Sequence, residues 1–234
     1  MTFLVRARKG LAEVKRITEL NRAAPLDDFA SYDEYWEWRG RLTVIHRRWE
    51  IARDLIPDGS TVLDVGCGSG QFLAVLKERR PNCIVQGVDA SPRAVEMAQS
   101  EGMDASVLDL ETTDIPGSFD YVTCLEVIEH IAHAEAALHR LMNATGKQAI
   151  VSVPNVGFIG CRVRLAVFGR FPTTCCVFHV REHLRFWTVR DFREWVEHCG
   201  YRLVGQHPQH GVWMLCRRFP ALFASGMVYV VERA

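Results

Sequence analysis

The sequence predicts a doubly wound α/β domain, a mostly parallel sheet with helices on both faces. Three observations carry this. The aliphatic run Thr61 to Val65 enters a turn with glycine at 66, 68 and 70, and a helical pattern follows from Gln71 to Arg79. A second run, C-I-V-Q-G-V-D, ends in Asp89 and is again followed by a helix signal, S-P-R-A-V-E. Strand-like and helix-like segments then take turns along the rest of the chain, the pattern of strands joined by crossover helices. The 234 residues suffice for one such domain with a sizeable core and modest additions.

Residues 1–24 space Leu4, Leu11, Val14, Ile17 and Leu20 among basic residues, as an amphipathic helix does, and Pro25 ends it. The next stretch, S-Y-D-E-Y-W-E-W-R-G, crowds Tyr32, Tyr35, Trp36 and Trp38 ahead of a second helix at about Arg41 to Leu55. Thr61 to Val65 is too short for a helix and rich in β-branched residues, so it reads as a buried strand. Glycines after it permit a sharp turn and leave bare backbone at a helix N-terminus, where a ligand can lie. No Lys-Ser or Lys-Thr follows, which excludes a P-loop, and the dinucleotide spacing would need glycine where Gln71 stands. Asp64, two residues before the first glycine, suits a cationic ligand better than a pyrophosphate.

Asp89, about 20 residues past the glycines, is placed to accept two ribose hydroxyls. Ser91 as N-cap and Pro92 at the first helical position open the next helix. A short strand, A-S-V-L-D-L, carries Asp109 near its end. Phe119 to Cys124 is the following strand, and Leu125 to His130 opens a helix or turn at the ligand edge of the sheet. If that segment is helical, Glu126, Glu129 and His130 share one face. Such a set is a half-shell for a divalent cation, a hydrogen-bonded trio, or a site in which His130 is a general base or a packed residue. Gln148 to Pro154 is a further buried strand, and Thr188 caps the helix V-R-D-F-R-E-W-V-E-H-C, which Gly200 closes. Tyr201–Gln206 and Met227–Glu232 are the last strands, with room for a helix over Val212–Phe223.

Composition narrows the function. Formal net charge is zero with 24% charged residues, so no global field recruits nucleic acid or a membrane. Between Asn155 and Arg190, however, six arginines (162, 164, 170, 181, 185 and 190) face one acid, Glu182, a local net charge of +5. This is either a solvated surface or a site for an anionic acceptor. Eight cysteines without a C-x-x-C pair indicate a reducing, cytoplasmic setting. No run of 18 apolar residues suggests a membrane span, and the N-terminus lacks a signal-peptide core.

The motif D-x-G-x-G-x-G formed by Asp64, Gly66, Gly68 and Gly70 resembles that of the class I S-adenosylmethionine-dependent methyltransferases. S-V-P-N-V-G-F, R-F-P and H-L-R-F-W-T resemble the methionine-biosynthesis-W-like group, and E-V-I-E-H resembles the ubiquinone-biosynthesis O-methyltransferases. The resemblance covers about residue 32 to the C-terminus. It implies a Rossmann-like seven-stranded sheet with an antiparallel last strand, a helical lid over 1–56, a cofactor core over 57–153, an acceptor-side insert over 154–187, and closing elements over 188–234. It further implies S-adenosylmethionine held by Asp64, Gly66, Gly68, Gly70, Asp89 and Leu125, with Asp109 on the adenine. Tyr35 and Trp36 would cover the cofactor, and Arg47, beside Arg48, would meet its carboxylate. The related small-RNA enzymes place a divalent metal, Mg²⁺ or similar, on residues matching Glu126, Glu129, His130 and His183; without a metal, His130 or His183 would take the acceptor's proton, with Glu126 alongside.

The expectation is an O-methyltransferase for a small-molecule acceptor, such as a sugar, an anionic metabolite or a phenol. The chain can also pair as a homodimer. Competing readings are a methyltransferase-fold partner of another biosynthetic enzyme, and an RNA 2′-O-methyltransferase, which the neutral charge disfavours.

Overall fold

The computed structural model describes residues 31–39, 45–172, 183–212 and 214–234. The expected helix over 1–24, the start of the second helix near Arg41, Arg181 and most of the loop after Pro172 lie outside the described residues. Among the described residues two helices come first, α1 (Tyr32–Arg39) and α2 (Arg47–Leu55). The core follows as β1 (Thr61–Val65), α3 (Gln71–Arg79), β2 (Ile84–Asp89), α4 (Pro92–Ser100), β3 (Ala105–Val107) and β4 (Phe119–Leu125). A 3₁₀ turn (Ile128–His130) leads to α5 (Ala134–Asn143) and β5 (Thr145–Pro154). The chain closes with α6 (Ile159–Phe168), α7 (Val189–His198), β6 (Tyr201–Gly211), α8 (Leu215–Arg218), α9 (Pro220–Phe223) and β7 (Ala224–Arg233).

The seven strands form one sheet in the order β3-β2-β1-β4-β5-β7-β6. β1 to β5 pair in parallel, and β7 inserts antiparallel to both β5 and β6. The order reverses between β1 and β4, so the carboxyl ends of these strands open a crevice at the switch point.

Successive strand residues point to opposite faces, and two apolar layers result. One gathers Leu63, Val122, Val151 and Tyr229 with Leu138 of α5 and Phe192 of α7. The other gathers Val62, Tyr121, Ile150 and Val228 with Trp49 of α2 and Phe72 and Leu73 of α3. Phe192 stacks on Tyr229 at 4.2 Å between centroids, which ties α7 to the antiparallel strand.

Local signals account for the helix starts. Ser91 Oγ accepts from Ala94 N at 3.1 Å with Pro92 at the first helical position. Thr188 and Asp191 form a reciprocal capping box at the head of α7.

Candidate active site

The glycine turn takes its shape from φ angles of +74°, +54° and +79° at Gly66, Gly68 and Gly70, a region that side chains with a Cβ avoid. The three glycines do different things. A Cβ on Gly66 would strike Val127, and one on Gly68 would lie 2.5 Å from the Trp36 ring. A Cβ on Gly70 would meet Met103 and Ala98 instead, so Gly70 serves helix packing and does not line the cavity. Asp89, at the end of β2, accepts from Gly68 N at 2.8 Å through Oδ2 and from Ser91 N at 2.9 Å through Oδ1.

Above the turn lies a cavity of about 240 Å³. At one end it is bounded by Asp89, Ala90, Leu108, Asp109 and Leu110, an acid beside an apolar slot. The Asp109 carboxylate also closes its own turn, accepting from Glu111 N at 2.8 Å and Thr112 Oγ1 at 3.0 Å. At the other end stand Leu125, Glu126, Val127 and His130. Tyr35 and Trp36 of α1 form part of the wall. Asp33 holds α1 there by accepting from Ser91 Oγ and from Arg93 N, the latter at 3.2 Å, at the positive end of α4.

Arg47 does not reach the cavity. It is exposed and paired with Glu50 at 2.7 Å, while Arg48 lines the wall. The sequence contained the signal: α2 buries Trp49, Ile51 and Ala52, and position 48 shares their face through its i+3 and i+4 neighbours.

Asp64 is buried, accepts from Thr123 Oγ1 at 2.6 Å, and also lines the cavity. Burial raises its pKa to about 7 against the opposing Thr123 hydrogen bond, and the nearby Asp89 adds to the rise. Burial likewise raises Asp89, against the hydrogen bonds from Ser91 and Gly68. A cation in this cavity would favour the charged form of each. Cys67, within the turn, is a packed thiol whose pKa burial pushes far up.

Glu126, Glu129 and His130 do not share a helical face. Glu126 precedes the 3₁₀ turn and sits at φ +61°. Its Oε1 accepts from Gln209 Nε2 at 2.8 Å and Ser152 Oγ at 3.1 Å. Glu129 instead turns inward, and Glu129, His130 and His183 gather with one ligand atom from each within 4.8 Å of the others. The imidazoles of His130 and His183 meet edge to face at 4.6 Å. His183 Nε2 lies 4.0 Å from Glu129 Oε1. Burial, and then the neighbouring His130, lower the His183 pKa to about 3, so this ring is neutral. Glu129 O accepts from Leu184 N and Arg185 N at 2.8 and 3.0 Å, which anchors the His183 segment. The sequence does not mark Gln209 and Ser152, which become neighbours of Glu126 only through the sheet; Glu111 lines the cavity through the turn that Asp109 closes.

The basic stretch after Asn155 does not form one patch among the described residues. Arg164 is buried and donates to Phe171 O at 2.7 Å, and Arg162 donates to Gly157 O at 2.7 Å. Arg185 bonds Ala132 O, and Arg190 pairs with Glu194 at 2.7 Å.

The chain is 27% identical over 198 residues to the "Bifunctional methionine biosynthesis protein MetXA/MetW" of Rhodopirellula baltica, matching 79% of this chain and 29% of that protein. It is 29% identical over 160 residues to the "Ubiquinone biosynthesis O-methyltransferase, mitochondrial" of Schizosaccharomyces pombe, matching 60% of this chain and 54% of that one. The chain thus spans about half or less of these curated relatives. Among solved structures, the magnesium protoporphyrin IX methyltransferase of Synechocystis PCC 6803 with bound SAH superposes with a TM-score of 0.56 at 19% identity, covering 100% of both chains. The fold is that of the class I S-adenosylmethionine-dependent methyltransferases. With residues 46–230 matching the family described as "Methionine biosynthesis protein MetW", the chain belongs to that family.

Proposed function

We propose that this chain is a cytoplasmic enzyme that binds S-adenosylmethionine and transfers its methyl group to an oxygen of a small-molecule acceptor. The observation that carries this reading is the continuity of one cavity, from Asp89 and the glycine turn to Glu126 and His130. Asp89 would accept the ribose hydroxyls, the Leu108–Leu110 slot would take the adenine, and Arg48 would meet the carboxylate. The bound molecule would supply an activated methyl group to the acceptor oxygen and leave as the neutral thioether. The acceptor's proton passes to His130, which the neutral His183 ring braces. Sulfonium activates the methyl group intrinsically, so positioning supplies most of the remaining catalysis.

Glu129, His130 and His183 also fit a divalent metal, as one carboxylate and two imidazoles in a single cluster. This donor set suits Zn²⁺, Mn²⁺ or Fe²⁺ better than Mg²⁺, which prefers oxygen ligands and retains waters. A bound ion would lower the acceptor hydroxyl's pKa.

The dispersed arginines argue against a highly anionic acceptor or RNA. The surface beside His183 is apolar: Phe171 and Phe186 pack edge to face at 5.1 Å, and the Phe186 ring lies 6.3 Å from that of His183. An acceptor with an aromatic ring, such as a phenol, matches this surface. A non-catalytic partner of another biosynthetic enzyme is the competing reading, favoured by the similarity to a bifunctional protein. Calorimetry with S-adenosylhomocysteine separates the two, with micromolar binding expected for the enzyme. Release of S-adenosylhomocysteine from S-adenosylmethionine and 1,2-dihydroxybenzene tests the transfer. Absence of heat with either form of the cofactor would sink the enzymatic reading.

A further inference from the structure

Among the described residues, Glu126 is the single non-glycine with a positive φ. A glutamate gains nothing intrinsic from that conformation, so its surroundings must impose it. Its backbone N–H continues the β4–β5 ladder by donating to Ser152 O at 3.0 Å. Its carboxylate is then gripped from two strands, by Ser152 Oγ of β5 and by Gln209 Nε2 of β6.

Gln209 reaches this point from the far edge of the sheet. Strand β6 is separated from β4 by β7 and β5, and two features of the chain bridge the gap. The β6–β7 register shifts between Pro208 and His210, so Gln209 is the extra residue of a bulge, a device that re-aims a side chain. Opposite it on β7 stands Gly226, where any Cβ would collide with the Gln209 amide. Gln209 is 7% exposed, and Ser152 is fully buried. A strained backbone, a bulge and a missing Cβ therefore converge on one carboxylate of the cavity wall. Ser152 Oγ and Gln209 Nε2 both donate to Oε1, which leaves Oε2 to accept from a bound molecule.

We propose that Gln209 is a positioning residue that fixes Glu126 so that Oε2 receives the α-ammonium of the cofactor's amino-acid end. A fixed carboxylate close to the glycine turn selects a cation, and the ammonium is the cationic hydrogen-bond donor of the cofactor. Arg48 on the same cavity wall supplies the complementary charge for the carboxylate. This rests on the reading that the cavity binds S-adenosylmethionine.

The test compares S-adenosylhomocysteine, which carries the ammonium, with 5′-methylthioadenosine, which lacks the whole amino-acid end, by calorimetry on the full chain. Binding of S-adenosylhomocysteine by the wild type establishes the underlying reading; its failure there would remove that reading, separately from this inference. Glu126→Gln should weaken S-adenosylhomocysteine by about tenfold or more, and Gln209→Leu by about three- to tenfold, each leaving 5′-methylthioadenosine within about twofold. Gly226→Ala leaves Gln209 in the sequence but displaces its amide, and should reproduce the Gln209→Leu effect. This second variant keeps the test decisive if Gln209→Leu misfolds. A merely structural role would move both ligands together or neither. Unchanged discrimination in Glu126→Gln, or in both Gln209→Leu and Gly226→Ala, overturns the proposal.

Discussion

Gly68 donates its backbone N–H to Asp89 Oδ2 at 2.8 Å, across 21 residues of sequence. The acid that ends β2 thus holds the turn after β1 in shape, while its other oxygen accepts from Ser91 N at the head of α4. Asp89→Ala removes both acceptors from a mostly buried position. The expected outcome is at least a hundredfold loss of S-adenosylhomocysteine affinity in calorimetry. Denaturant unfolding should also show a stability loss of about 2 kcal/mol, the scale of losing hydrogen bonds to a charged group. A variant that binds normally would remove Asp89 from the cofactor site.

Gly68 and Trp36 set the distance between the glycine turn and α1. An alanine at 68 must adopt φ near +54° and place its Cβ 2.5 Å from the Trp36 ring. Gly68→Ala should therefore displace α1 as well as strain the turn, at about 1–3 kcal/mol. Trp36 fluorescence alone is obscured by the other five tryptophans, so the reading is best taken in Gly68→Ala against Gly68→Ala/Trp36→Ala. If relief of the collision matters, the second substitution should recover part of the lost cofactor affinity. No recovery would assign the whole effect to backbone strain.

Asp64 supplies a pH dependence with a definite sign. Its folded pKa, about 7, exceeds the ordinary 3.8 because burial penalises the carboxylate. Between these values the folded chain binds a proton that the unfolded chain releases, so this group's stabilising contribution is complete below about pH 3.8 and declines as pH rises to about 7. Asp64→Asn should therefore gain on the wild type with rising pH through that window, by up to about 1.4 kcal/mol per pH unit. Urea unfolding of the cofactor-free forms at several pH values measures this. A constant difference between the two proteins would show that Asp64 is ionised when folded throughout.

The sheet and the glycine-turn end of the cavity are legible because their determinants are local. Thr61–Val65 with its glycines, Asp89, and the Ser91–Pro92 and Thr188–Asp191 caps each act within a few residues of where they stand, and the structure follows them. The placement of Glu126 is not legible, because E-V-I-E-H has helical spacing, whereas the chain there leaves β4 through one left-handed residue before turning. That choice is made by Gln209 and Ser152, contacts 83 and 26 residues away. The arginines misled for a related reason. Their charge is visible in the sequence, but the carbonyls that occupy Arg162, Arg164 and Arg185 become neighbours only once the chain has folded.

The separation of Glu126 from Glu129 makes a last prediction about metal binding. Sequence resemblance alone groups four ligands, whereas the cluster in the fold contains Glu129, His130 and His183. If the three form the site, Glu129→Gln and His183→Asn should each weaken Zn²⁺ or Mn²⁺ binding by at least tenfold, while Glu126→Gln leaves it within about twofold. A metal that binds the folded state stabilises it by about 2.7 kcal/mol at one hundred times its dissociation constant. Thermal unfolding with and without Mn²⁺, followed by chelation, should therefore report a reversible shift that Glu126→Gln retains and Glu129→Gln loses. Loss of the shift in Glu126→Gln would restore the four-ligand arrangement and require Glu126 to leave Gln209 when metal binds. Absence of any shift in the wild type would leave His130 as the proton acceptor without a metal, with Glu129 and the neutral His183 as the groups that hold its ring in place.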